Sequence, residues 1–84
     1  MDKTTRIKLR EVNEKLDRVL SVVEAALDRE LECMGNFPEN LQGTERYEKM
    51  EDAADNLENA VESINEAKKY LENVMEWNTK IWHW

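Results

Sequence analysis

The stretch GNFPENLQGT, residues 35–44, decides the fold because it holds both glycines and the single proline of the 84-residue chain. Gly35 readily adopts the left-handed conformation that often ends a helix. Pro38 has no backbone N–H to donate to a continuing helix, and Gly43 lets the chain change direction again. This hinge separates two long segments, and its central letters PENLQ are compatible with one short helical turn.

The second segment begins with a helix-start signal. Thr44 is a good N-cap residue, and Glu45 and Glu48 follow in the first turn, where carboxylates interact favourably with the helix dipole. The predicted single domain, residues 1–84, therefore has three parts: a helix over about 5–34, the hinge over 35–44 and a helix over about 45–82.

Upstream of the hinge, apolar residues recur at helical spacing. The predicted stripe contains Leu9, Val12, Leu16, Val19, Leu20, Val23, Leu27, Leu31 and Met34. Its columns repeat every eleven residues, which is close to the natural pitch of a helix and predicts a nearly straight one. Thr4 or Thr5 is the expected N-cap.

The second helix carries a heptad pattern with a wider apolar face. The seam positions are Tyr47, Met50, Ala54, Leu57, Val61, Ile64, Lys68, Leu71, Met75, Asn78 and Trp82. A further column lies beside the seam and contains Ala53, Ala60, Ala67, Val74 and Ile81. Small residues at regular spacing allow another backbone to come close, so the apolar face exceeds what a two-helix seam requires.

We therefore predict an all-α antiparallel helical hairpin, two copies of which pair into a four-helix bundle. The predicted interface of this homodimer contains Ala53, Ala60, Ala67, Val74 and Val19. A monomer with a folded-back tail is the alternative.

Composition excludes several classes of function. The net charge of −7 argues against direct binding to nucleic acid or to an anionic membrane, because such binding draws on Lys and Arg.

The single cysteine, Cys33, fits a reducing cytoplasm, and no apolar run approaches the roughly 20 residues of a membrane span. His83 is the only histidine, so we expect no enzyme, no metal site and no cofactor.

An acidic run occupies the second helix between Lys49 and Lys68. It contains Glu51, Asp52, Asp55, Glu58, Glu62 and Glu66, with no basic residue among them. At helical rise the run extends about 22 Å on outward positions. It is either a solvated surface or a phosphate-mimicking face that docks in a basic groove.

The tail WNTKIWHW, residues 77–84, contains all three tryptophans of the chain. Trp77, Ile81 and Trp84 continue a helical spacing from Val74, so the tail is amphipathic. Because the second helix is predicted to be longer than the first, the tail should extend past the start of the first helix. It either closes the end of a dimer or anchors a protein partner.

The hinge and early second helix, NFPENLQGTERYEKMEDAADNLENAVESINEA (residues 36–67), resemble a set of short, uncharacterised helical-hairpin proteins of phages and integrative elements of gut Firmicutes. The match covers residues 38–42 and 45–48 and the alanine-spaced acidic pattern after them. The tryptophan-rich tail departs from the shorter endings of such proteins. The resemblance implies no catalytic residues, and it implies a bacterial host protein as partner and the bacterial cytoplasm as location.

The predicted function is that of a non-enzymatic protein-binding module. Its most concrete form is an inhibitor of a host nucleic-acid-handling or defence protein, similar in strategy to anti-CRISPR proteins. The predicted partner-binding residues are Glu51, Asp55, Glu58, Glu62, Glu66, Trp77, Ile81 and Trp84. The alternative is a structural homodimer or adaptor with a solvated acidic face and an internally packed tail.

Overall fold

The protein is an all-helical hairpin. The computed structural model describes the backbone of residues 1–82 and the side chains of residues 1–75. Helix α1 spans Lys3–Gly35, a 3₁₀ turn spans Glu39–Leu41, and helix α2 spans Glu45–Trp82. The two helices pack side by side in a rod of 65 × 15 × 14 Å. The all-α fold class is thus confirmed, with no strand in the described part of the chain.

Helix α1 begins earlier than the sequence predicts, because Asp2 and not Thr4 or Thr5 is its N-cap. Asp2 has an extended backbone, and its Oδ1 atom accepts a hydrogen bond from the Thr5 N–H at 2.7 Å. This hydrogen bond from Thr5 lowers the pKa of the Asp2 carboxyl below its ordinary value. Asp outranks Thr as a cap, and its charge interacts favourably with the helix dipole, which explains the shift.

The hinge turns without any residue of positive φ. Helix α1 ends at Gly35, but Asn36 follows with φ of −94°, and neither glycine has a positive φ. The left-handed conformation expected at Gly35 is therefore wrong, and the Asn36 N–H instead continues the helical pattern to the Glu32 carbonyl at 3.1 Å. The rings of Phe37 and Tyr47 then pack with centroids 5.5 Å apart, which ties the hinge to the first turn of α2.

Thr44 caps α2 as predicted. Its Oγ1 atom accepts a hydrogen bond from the Tyr47 N–H at 3.5 Å and donates one to the Leu41 carbonyl at 2.7 Å. The same residue thus fastens the 3₁₀ turn to the second helix.

Over the described side chains, the seam of α2 is the predicted heptad from Tyr47 to Met75. The seam of α1 keeps six of the nine residues of the predicted stripe. Along α1 the less exposed positions are Arg6, Leu9, Asn13, Leu16, Leu20, Val23, Leu27, Glu30 and Met34, which alternate three- and four-residue steps. Val12, Val19 and Leu31 remain 42%, 47% and 49% exposed. The predicted eleven-residue columns therefore combined seam residues with exposed ones. The reason is that α1 packs along the seven-residue repeat of α2, and its seam has to follow the same repeat.

The core of this hairpin is thin. Ala54, at 5% exposure, is the one buried hydrophobic residue among the described side chains. The radius of gyration is 18.8 Å, against about 12 Å for a compact chain of this length. Most seam residues are only half-buried because a single neighbouring helix covers one side of each.

We predict that Thr44→Ala lowers the free energy of unfolding by about 0.5–2 kcal/mol, since it removes both the cap of α2 and its bond to the 3₁₀ turn. Urea unfolding followed by circular dichroism measures this loss. Thr4→Ala is the matched control, because Thr4 is exposed and does not cap α1, and it should change stability by less than about 0.5 kcal/mol. Equal losses in the two variants would contradict the capping role.

Candidate functional site

A polar cluster around Lys68 interrupts the apolar seam. The Lys68 side chain is 12% exposed and forms a salt bridge with Asp17 of α1. Its Nζ atom lies 3.6 Å from Glu72 Oε1 and donates a hydrogen bond to Asn13 Oδ1 at 3.3 Å. The Asn13 amide in turn donates to Glu72 Oε1 at 3.5 Å. Two residues of each helix thus hold one another across the seam.

The charge of Lys68 is stabilised by this arrangement. The hydrogen bond with Asp17, together with the charges of Asp17 and Glu72, raises the pKa of the Lys68 amine above its ordinary value of 10.5. A lysine held protonated in this way is not a general base at neutral pH. The cluster instead favours one register of α1 against α2. A slide by one heptad would place either Arg10 beside Lys68, or Glu24 beside Lys68 with Leu20 in place of the hydrogen-bonding Asn13.

The cluster also shows which residues share a side of the hairpin. Asp17 and Glu72 reach Lys68 from the same flank of the seam. Residues at seven-residue steps from Asp17 and Glu72 lie on the same flank. The column of Glu14 on α1 and the column of Glu48 on α2 lie beside them and widen this flank. The resulting acidic side contains Glu14, Asp17, Glu24 and Asp28 of α1 and Glu48, Glu51, Asp55, Glu58 and Glu62 of α2, all exposed. No Lys or Arg occurs in these columns within residues 14–31 or 48–65.

Sequence reasoning found only part of the acidic side. Of the predicted partner-binding acids, Glu51, Asp55, Glu58 and Glu62 belong to it, and Glu66 lies exposed on the outer surface of α2. The four acids of α1 were missed because the acidic run was assessed on one helix alone. Their spacing of three, seven and four residues was the available signal, since it marks one face of a helix.

The opposite flank of the seam is free of acids. On α1 this acid-free side contains Lys8, Val12, Lys15, Val19, Val22, Ala26, Arg29 and Cys33. On α2 it contains Lys49, Ala53, Asn56, Ala60, Ser63, Ala67, Tyr70 and Val74. All five residues predicted for a dimer interface fall on this side. Several of its apolar side chains are widely exposed, including Val19 at 47%, Val22 at 70% and Tyr70 at 65%.

The side chains of the predicted tail residues Trp77, Ile81 and Trp84 lie outside the described part of the chain. Helix α2 has 38 residues and α1 has 33, so the second helix is the longer one, as predicted.

The described side chains offer little for catalysis. Within residues 1–75 no group of three His, Cys, Asp or Glu residues is arranged to hold a metal ion. Cys33 is exposed and lines a shallow depression together with Asp28 and Glu32, carboxylates that do not favour a thiolate. Neither helix, over its described residues, is apolar enough for long enough to cross a membrane.

Comparisons with known proteins found no match to a family model, to a curated protein or to a solved structure.

The Lys68 cluster predicts a specific loss of stability at alkaline pH. The folded chain binds the Lys68 proton more tightly than the unfolded chain does, so this contribution is complete below pH 10.5 and is lost as pH rises through the raised pKa. Stability of the wild type should fall between pH 10 and 12 more steeply than that of Lys68→Met, measured by thermal unfolding at each pH.

The neighbouring Lys69→Met variant is the control, because Lys69 is exposed and is not one of the residues that contact Lys68. It should keep the alkaline dependence of the wild type. If Lys68→Met and Lys69→Met show the same pH profile, the cluster does not contribute as described.

Proposed function

We propose that the protein is a non-enzymatic binding module whose acidic side docks against a basic surface of a protein partner. In its most concrete form it inhibits a bacterial nucleic-acid-handling or defence protein by occupying the groove that normally holds a phosphate backbone. The observation that carries the proposal is the collection of acids from both helices on one side of the hairpin, with no Lys or Arg in their columns within residues 14–31 or 48–65.

The density of charge on this side suits a nucleic-acid groove. In the register set by Lys68, the nine acids extend over about 33 Å of the hairpin, or roughly one charge per 3.7 Å. A nucleic-acid strand carries one phosphate per about 3.4 Å. A basic groove that accepts a strand would therefore meet a similar number of charges along the acidic side.

This distribution has an energetic cost that stability alone does not explain. Asp55, Glu58 and Glu62 follow three- and four-residue steps, and like charges at that spacing destabilise a helix by about 0.2–0.5 kcal/mol per pair. Glu24 of α1 adds to the repulsion because it lies on the same flank at the level of Glu58. A basic partner would offset this repulsion on binding.

The tail enters the proposal separately from the acidic side. By spacing, Ile81 follows the column of Ala67 and Val74, whereas the acids occupy other columns of α2. Anchorage by Trp77, Ile81 and Trp84 would therefore add a second contact rather than extend the acidic one. The alternative function, a structural homodimer or adaptor, draws on the acid-free side instead.

A charge reversal tests the acidic side. We expect Asp55→Lys, Glu58→Lys and Glu62→Lys, combined in one variant, to keep the helical circular dichroism signal and to weaken partner binding more than tenfold, or about 1.4 kcal/mol. The matched control combines Glu11→Lys, Glu32→Lys and Glu39→Lys. These three acids are also exposed but lie off the acidic side. Because each variant replaces three acids by lysine, both change the net charge of −7 by the same amount.

Partners for this test come from a bacterial lysate passed over the immobilised wild type. The captured proteins should be nucleic-acid-binding proteins that are released by added single- or double-stranded DNA at constant ionic strength. The control variant should capture the same proteins and the reversed variant should not. Capture that survives the reversal, or that DNA does not compete, would rule out phosphate mimicry.

A further inference from the structure

The hairpin exposes more surface than a stable monomer of its size. Its accessible area is 6612 Å², whereas a globular monomer of 10.0 kDa exposes about 5,200 Å². The excess of about 1,400 Å² exceeds the roughly 800 Å² that each partner loses in a standard protein–protein interface. One further contact of ordinary size would therefore bring the chain to the burial that a folded domain normally reaches.

The distribution of charge indicates which surface that contact uses. The chain has 19 Asp and Glu residues, and none of them lies on the acid-free side between Lys8 and Cys33 or between Lys49 and Val74. Apolar residues occupy its centre, and Lys8, Lys15 and Arg29 lie along its outer edge on α1. Two copies can meet through this side without burying a carboxylate, which is the costliest group to desolvate.

The shape of the acid-free side is also complementary to itself. In the register set by Lys68, Val19 of α1 lies at the level of Ala67 of α2, and the exposed Val22 lies nearby. The column of α2 is built from alanines, so α1 forms a ridge and α2 forms a trough. A second copy that places its ridge in this trough fills both at once.

We propose that the acid-free side binds a second copy of this chain, with the two-fold axis parallel to the long axis of the hairpin. In this four-helix bundle α1 of one copy lies against α2 of the other, every neighbouring pair of helices is antiparallel, and both hinges are at the same end. The other two-fold arrangement lays α1 on α1, and it brings Lys8, Lys15 and Arg29 against the same basic column of the partner. Like charges at that edge disfavour it.

The proposal is independent of the partner-binding function. In the bundle the acidic sides of the two copies face outward in opposite directions, so both remain accessible. The dimer would thus present two equivalent acidic sides, and each of the two proposals can fail without the other.

Two neighbouring alanines of α1 provide the test. Ala26 lies on the acid-free side and Ala25 on the outer surface, and both are exposed. Sedimentation equilibrium at 10–200 µM should show the wild type and Ala25→Glu as dimers and Ala26→Glu as a monomer. Val22→Glu is the second variant, because Val22 is 70% exposed and its replacement leaves the intramolecular seam intact. Circular dichroism should show that both variants stay helical.

A monomeric wild type over this concentration range would overturn the proposal. So would dissociation by Ala25→Glu, or dimers that persist in both Ala26→Glu and Val22→Glu. A wild type that stays monomeric but binds vesicles of anionic lipid, or an acidic amphipathic peptide, would assign this side to that ligand instead.

A distance measurement tests the arrangement of the two copies. A spin label on Glu32→Cys, in a Cys33→Ala background, lies on the outer surface of α1 near the hinge. With hinges at the same end, the distance between the two labels is set by the width of the bundle and should be below about 35 Å. With hinges at opposite ends, the rise of the helix adds an axial offset, and a distance above about 45 Å would refute the proposed axis.

Discussion

The contact of Lys68 with Asn13, Asp17 and Glu72 is the constraint on which the other surfaces of this hairpin depend. Apolar seams of leucine, valine and isoleucine tolerate sliding by a heptad, because each layer resembles the next. The half-buried Lys68 ammonium distinguishes the registers, since a slide in one direction places Arg10 beside it and a slide in the other replaces its hydrogen-bond partner Asn13 by Leu20. Once this register is fixed, every other column of α1 has a defined neighbour on α2, and the division into an acidic and an acid-free side follows.

The sequence was a better guide to α2 than to α1, for a physical reason. Nine of the eleven predicted seam positions of α2 fall within the described side chains, all nine are buried or half-buried, and all but Lys68 are apolar. The seam of α1 instead includes Arg6, Asn13 and Glu30, while Val12 and Val19 lie outside it. The spacing of apolar residues alone cannot tell seam residues from exposed ones on α1, because it assigns every apolar residue to the face that packs on the other helix. The heptad of α2 was the stronger signal, since two packed helices must share one repeat.

The helix ends show the same limit at shorter range. Thr44 was identified as a cap because Pro38, Gly43 and two glutamates frame it, and its hydrogen bonds follow that expectation. Asp2 was overlooked because two threonines closer to the first apolar residue also satisfy the capping rule. The choice among adjacent caps depends on small differences in hydrogen bonding and charge, and the carboxylate of Asp2 supplies both. The acidic side was harder still to predict from the sequence, because it depends on how α1 and α2 are aligned along the seam.

A chain with one acidic side and one acid-free side has two ways to associate with itself, and electrostatics favours the closed one. Stacking the acid-free side of one copy on the acidic side of the next would pair Lys15 and Arg29 with carboxylates, but the contact is not closed and would continue into a filament. It would also press Val19 and Val22 against carboxylates such as Glu24 and Glu58, which would have to be desolvated. Pairing two acid-free sides removes the valines from water and leaves all these carboxylates hydrated. The acidic sides then lie about two helix diameters apart, roughly 20 Å, which exceeds the Debye length of about 8 Å at physiological salt. The repulsion between the two acidic sides is therefore largely screened. The carboxylates that would be desolvated in a filament stay hydrated in the dimer and do not oppose its formation.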